Sequence, residues 1–313
     1  ITTKQGTIRE PVVMVSGYTG LTMRPDLRPV ALGAAERRQK MDIVKNQLNY
    51  AEQMNLPRLL TDSLNPAFDG NTNFQDLFYQ KGLVNNADLS LSGGTESSTY
   101  RFSANYYNED GIIKATGFRR LSTRLNLINR ALKNKITINP IIAYTNMDRA
   151  RGNGNGVSPL PLGSANMPSS LFELSDARKA FYTGLYDDNL DKNLTNQFTF
   201  NLNLDIKLLP KLTLTSQTAY QYNTGRRDMS RPSILNNNRG NSAYAWNSAQ
   251  QNWLSSNFLN YNDTFGKHSL TVLVGQDIVH DKYQESSAEG WNGNSDQIQV
   301  VQGFLQNYMT AYS

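Results

Sequence analysis

The sequence predicts an all-β chain forming part of a transmembrane antiparallel β-barrel, and three observations predict it. Apolar and polar residues alternate over long runs, connections alternate between short and long, and no run approaches the ~18 apolar residues of a membrane helix. Alternation sends successive side chains to opposite faces of a strand. One parity carries Ala87, Leu89, Leu91, Tyr100, Phe102, Tyr106, Leu121, Leu125, Leu127, Ile136, Ile138, Ile142 and Tyr144. It continues through Phe198, Phe200, Leu202, Leu204, Ile206 and Leu208 to Leu270, Val272, Val274 and Ile278. The other parity carries Asp88, Ser90, Ser92, Arg101, Ser103, Asn105, Arg124, Asn126, Asn201, Asn203, Asp205 and Lys207. The charges inside these strands fall on the second parity, and a charge facing lipid at mid-bilayer costs roughly 2–4 kcal/mol. A soluble sandwich also alternates, but globular strands run about five or six residues and several runs here reach about ten.

Element by element, Thr7–Tyr18 reads as the first strand. The segment Leu21–Asn86 is long and holds one amphipathic helix over Ala34–Gln53, where Met41, Val44, Leu48 and Ala51 recur opposite Arg37, Lys40 and Lys45. Ala87–Gly93 and Thr99–Tyr107 are joined by the short Gly94–Ser98, and a longer join, Asn108–Arg119, follows. Leu121–Arg130 meets Ile136–Tyr144 through Ala131–Lys135; Pro140 removes a ladder donor there and marks an edge or a bulge. Within the long stretch Met147–Gln197 a short helix is expected from Ser170, with Glu173 completing a capping box. Phe198–Leu208 meets Leu212–Tyr222 across Leu209-Pro210-Lys211. The polar stretch Asn223–Asn252 leads to Trp253–Asp263, which turns at Gly266–His268 into Leu270–Val279. Trp253–Asp263 has apolar residues on both parities, so its lipid face is unassigned. Tyr106, Tyr144 and Tyr220 lie late in strands that run toward long loops, where an interfacial aromatic girdle belongs. Short turns are expected on the periplasmic side and long loops outside the cell, in an outer membrane.

Composition narrows the chemistry. The chain has no cysteine, which removes disulfides and thiolate metal sites, and only His268 and His280 as histidines. No nucleophilic triad, histidine-rich metal site or split carboxylate pair can be assembled, so no enzyme and no cofactor are expected. A net charge of +5 is small for 313 residues, and Arg37-Arg38 and Arg226-Arg227 read as solvated faces rather than a nucleic-acid site. Arg151–Gly156 is glycine-rich, but Pro159 and Pro161 stand where a phosphate loop needs a helix. Asp187–Asp191 opens like a calcium loop, yet Lys192 and Phe198 occupy the positions of its glycine and final glutamate; a looser calcium site stays open.

Exposed aromatics beside amides are the side chains with which a surface grips sugars or peptides. Tyr244, Trp246 and Asn247 form the densest such group, and Trp291, Phe181, Tyr182 and Tyr186 are further candidates for ligand or lid contact. Packing of loop on loop would place the same residues together.

Several stretches resemble one family. Asn73–Phe78, Asn85–Gly94 and Tyr100–Ser103, followed by Asn108–Lys114 and Phe118–Asn126, are similar to SusC/RagA proteins, TonB-dependent outer-membrane transporters of Bacteroidetes. Gly266–Leu270 and Gly275-Gln276 resemble a later phrase of the same barrel, and Ile1–Gly6 resembles the end of its plug domain. The resemblance implies a barrel of about 22 strands around a plug, a SusD-like surface lipoprotein as lid, TonB as energy source, and oligosaccharide or peptide as ligand. It divides the chain into the end of a plug (1–6) and the first part of a barrel of about nine strands (7–313). Nine open strands would leave unpaired edges in lipid, so an internal piece of a longer chain is expected; no charged-then-apolar leader opens the sequence. The alternative function is a non-transporting barrel that scaffolds surface lipoproteins or an assembly complex.

Overall fold

A computed structural model describes residues 6–312 apart from 27–28, 75, 77–78, 152–168, 172–174, 178–179, 181–189, 234–239 and 305. The strands are β1 (Arg9–Thr22), β2 (Gly82–Gly94), β3 (Ser98–Asp110), β4 (Thr116–Ala131) and β5 (Ile136–Arg151). They continue as β6 (Leu190–Leu209), β7 (Leu212–Arg231), β8 (Ser242–Phe265), β9 (His268–Trp291) and β10 (Gln306–Tyr312). Each pairs antiparallel with its chain neighbour, in one ten-stranded sheet that is not closed. This is a length of antiparallel barrel wall. Among the described residues no helix is long and apolar enough to cross a membrane.

The ladder carries the two parities from strand to strand. Leu202 faces Pro140 and Thr218, while Asn203 faces Asn139 and Gln217, as the alternation requires. Leu89, Tyr106, Leu121, Tyr144 and Val274 stand exposed on the apolar face. The pairing also settles Trp253–Asp263: Trp253 lies opposite Tyr220, Leu259 opposite Leu214 and Tyr261 opposite Leu212, so these three share the apolar face. Phe258 is left on the polar face, where it lies against Gly275. At the level of the tyrosines, the Tyr144 hydroxyl donates to Asn196 Oδ1 at 2.9 Å and the Phe198 and Tyr220 rings meet at 6.5 Å.

The strands outrun the sequence expectation at one rim only. β8 and β9 have 24 residues each, about 79 Å of strand, where roughly ten residues cross the bilayer. Beyond the bilayer both faces meet water, alternation is not selected, and the extension leaves no periodic trace. For the same reason Asn108–Arg119 is not a long join: β3 and β4 run on until only residues 111–115 turn, with Ala115 at φ 58°. β10, seven residues long, adds a strand to the nine expected. The assignment of charge to one parity also needs correction outside the bilayer. Arg119, Asp148, Lys192, Arg226 and Asp228 lie on the apolar parity, but toward the long-connection rim. At the opposite rim Asp263 lies on that parity too, neutralised by Lys211 and accepting from the Tyr261 hydroxyl at 2.8 Å.

Pro140 sits in an interior strand. The β4–β5 ladder skips from Asn126–Ile141 to Asn129–Ile138 around it, and the register resumes unchanged. The missing donor costs ladder bonds on one side and no bulge forms. The turn 132–134 places Leu132, Lys133 and Asn134 consecutively in the left-handed region, at φ 52°, 55° and 64°. Gly266, at φ 61°, opens the two-residue β8–β9 turn, a position where glycine carries no Cβ penalty.

The helical segment beside the long-connection rim differs from expectation. Instead of one helix over Ala34–Gln53 there are two, α1 (Ala34–Gln47) and α2 (Tyr50–Met54), followed by α3 (Arg58–Thr61). Asn49 breaks the first by capping the second: its side chain accepts from the Glu52 amide while Glu52 accepts from the Asn49 amide, each at 3.0 Å. Ser170 lies in a turn, and of the segment expected to be helical after it Asp176, Ala177 and Ala180 are so among the described residues. The Ser170 hydroxyl accepts from the Gly33 amide at 2.7 Å and donates to Glu36, and its carbonyl accepts from the Thr72 amide at 2.8 Å. Leu171 beside it is fully buried, with its backbone pressed on Gly70. Glu173 lies outside the described residues.

Candidate functional site on the polar face

Near the middle of the wall the polar face is a hydrogen-bonded network drawn from β2, β3 and β4. Asn105 donates to Asn86 Oδ1 at 2.7 Å and to Asp88 Oδ1 at 2.8 Å, and Arg120 donates to Asn105 Oδ1 at 3.2 Å. Tyr107 donates to Glu109 at 2.7 Å with the Arg120 guanidinium 5.8 Å from its ring centre. A groove of about 590 Å³ follows this face, lined by Asp88, Arg101, Asn105 and Arg124 among others. Such side chains suit water and polar solute, and would be prohibitive against lipid.

Toward the long-connection rim the same face changes character. Tyr244 and Trp246 stand on β8, opposite Met229 and Arg227 on one side and Glu289 and Ser287 on the other. A Cβ on Gly225 would come within 2.7 Å of the Trp246 ring, so the glycine is what lets the indole pack against β7. The indole N–H donates to Glu285 at 3.3 Å, and the Tyr283 hydroxyl donates to the same carboxylate at 2.6 Å. The Tyr283 and Tyr312 rings meet at 6.4 Å. Arg227 is held by a bidentate bond to Asp191, at 2.9 and 2.8 Å, with Asp191 almost fully buried. Asp277, Asp281, Glu285 and Glu289 recur every fourth residue on β9, all on the polar face, and that face of β8 and β9 carries no cation among the described residues. Rings with carboxylates between them can stack on sugar faces, accept hydroxyl protons, or hold a cationic group.

Of the residues singled out from sequence, Tyr244 and Trp246 are thus brought together, on a strand rather than in a loop. Asn247, next in the chain, points to the opposite face. Trp291 ends β9 beside Ser242 and Gln306, on the polar face but at the rim. Phe181, Tyr182 and Tyr186 lie outside the described residues, as do Gly152–Gly156 and Asp187–Asn189. Arg227, expected on a solvated face, is instead a mostly covered partner of Asp191, the last residue of the run that opens like a calcium loop; Tyr283, Tyr312 and the four carboxylates of β9 were missed. The spacing of four, which keeps all four carboxylates on one parity, was the available signal; without the register there was no way to know that β9 ran so far.

No family model matches the chain. It is 27% identical over 310 residues to a TonB-dependent receptor of Formosa agariphila, covering 96% of this chain and 29% of that protein. A second receptor of that organism is 25% identical over 312 residues. The TonB-dependent receptor SusC of Bacteroides thetaiotaomicron is 22% identical over 263 residues, covering 71% of this chain and 25% of SusC. The chain therefore spans under a third of the length of these relatives. In fold, a structure of the RagAB peptide importer in its closed-closed state superposes with a TM-score of 0.74 at 14% identity, over 99% of this chain and 40% of that one. A second RagAB structure gives 0.72 at 15% identity. Ladder, alternation and sequence similarity converge: the chain is similar to a stretch of barrel wall of TonB-dependent receptors of the SusC type, and shares the fold of the RagAB barrel.

Proposed function

We propose that the chain is wall, and outer-mouth lining, of an outer-membrane transporter that imports oligosaccharides or peptides. In this reading a SusD-like lipoprotein closes the mouth, TonB drives release inward, and residues 1–6 end the plug while 7–313 begin the barrel. The observation that carries it is the polar face itself: it bears a hydrogen-bonded network on β2–β4 and, toward the long-connection rim, the Tyr244–Trp246 patch on β8. A solute path needs such a surface, whereas a purely structural barrel has no use for rings held ready on its inside. SusC, named as a TonB-dependent receptor, and RagAB, named as a peptide importer, support the reading by their relationship to this chain.

The test uses the full-length receptor with Tyr244→Ala and Trp246→Ala combined. Two aromatic anchors lost from a binding surface are expected to weaken ligand uptake about tenfold or more, with barrel assembly, read by heat-modifiable gel mobility, unchanged. Uptake at the parental level would sink the assignment of this patch. Absence of uptake in the parent itself, with lipoprotein partners still bound, would favour the scaffold.

A further inference from the structure

The outer face above the aromatic level carries a pattern that solute transport does not use. Arg119 on β4, Lys192 on β6 and Arg226 on β7 stand on the lipid-facing parity, with Asp148 and Asp228 between them. The cations are the exposed members: their side chains are 64%, 49% and 62% accessible, against 21% and 28% for the two acids. Arg119 and Lys192 share Asp148 at 4.0 and 3.9 Å, the limit of an ion pair, and Arg226 meets Asp228 at 2.8 Å. The three cations share these two recessed acids, and Asp110, exposed at the end of β3, is a third acid on the same parity; over β5–β7 the exposed charge is positive. On β8 and β9 the corresponding rim is closed over, since Val301 and Phe304 fold back onto Ala243 and Ala288. The belt on β4–β7 has no such cover among the described residues.

Height selects the partner. Counting from the aromatic level at about 2.3 Å of rise per residue for a strand tilted near 45°, Arg119 stands roughly 5 Å and Lys192 roughly 14 Å above it. The polar zone of a phospholipid leaflet is only about 5–8 Å deep. We propose that Arg119, Lys192 and Arg226 bind the phosphates of an anionic glycolipid of the outer leaflet, whose phosphorylated sugar headgroup is deep enough to reach all three. The belt rests on the outer-membrane placement proposed above.

The experiment compares the full-length receptor with its Arg119→Gln, Lys192→Gln, Arg226→Gln variant, purified in detergent and titrated with lipopolysaccharide. A cation near an anionic membrane surface contributes about fivefold in binding, so removal of three is expected to weaken binding by about a hundredfold, less at high salt. A control variant neutralises Lys133, Lys135 and Lys267 at the other rim and is expected to bind as the parent does. Equal binding by the triple variant and the parent would overturn the belt. So would equal competition by phosphatidylglycerol, which would mean generic attraction to anions, or a change of oligomeric state in the triple variant alone, which would mean that a second copy occupies this face. Recovery of the receptor outside the outer-membrane fraction would overturn the placement, and the belt with it; correct fractionation with unchanged binding removes only the belt.

Discussion

Trp246 packs against β7 because residue 225 has no side chain, and this makes Gly225 a lever on the candidate site. A Cβ there would sit 2.7 Å from the indole and 2.8 Å from Ser248 Oγ, so Gly225→Val must lift the ring and break its 3.3 Å bond to Glu285. Ligand uptake by the full receptor should then fall nearly as far as in Trp246→Ala; uptake unaffected by Gly225→Val would mean the packed indole is irrelevant to binding. Asp191 is the second such residue. Removing one partner of a buried ion pair leaves the other uncompensated, at about 3 kcal/mol or more. Asp191→Ala should therefore speed amide exchange along the upper parts of β6 and β7, whereas exchange at the parental rate would show that Arg227 finds another partner. Neither relation is legible in sequence. Asp191 and Arg227 are 36 residues apart, and only the register sets one against the other.

The α1 segment answers to pH. Burial alone would raise the pKa of Glu36, but bonds from Lys40, Ser170 and Ser169 outweigh it and hold the carboxyl below its ordinary 4.5. A folded-state pKa below the unfolded one means the docking of 169–171 on α1 is fully supported above that range and loses support as pH falls through the depressed value. Spin labels at Asn46 and Asp176 should give a narrow distance at neutral pH that broadens on acidification below the ordinary glutamate range; a distribution that stays narrow would contradict the role of Glu36. Among the turns, Gly266→Ala meets open space yet must adopt φ 61°, so a loss of about 1 kcal/mol should arise from backbone conformation alone. Its measure is the urea midpoint of the refolding receptor, and no shift would mean that the turn relaxes. At this scale the sequence was informative in proportion to what the bilayer demands. Leu202 and Asn203 had to face opposite ways in lipid, and their alternation says so. Above the bilayer, Ser248 through Asn252 obey no such demand. The split at Asn49 was visible as Asn-x-x-Glu, a capping box inside an apparent helix.

For the barrel wall as a whole, topology is directly testable, since these 313 residues hold no cysteine of their own. Single cysteines replacing Leu64, which is 90% exposed, and Lys267 in the β8–β9 turn should label from opposite sides. A membrane-impermeant maleimide is expected to reach the first in intact cells and the second only after lysis; the reverse pattern would invert the barrel.

The docking of Ser170 and Leu171 has a mechanical consequence. The chain leaves β1, visits the helical segment, descends in β2, rises in β3, descends in β4 and rises in β5 before residues 169–171 return to that same segment. Four strands are thereby enclosed in a non-covalent ring whose clasp is Leu171 in its slot. Tension applied to either long connection is shared by both. That places a load-sharing contact in the water-facing segment, well away from the lipid that sets the register of the strands.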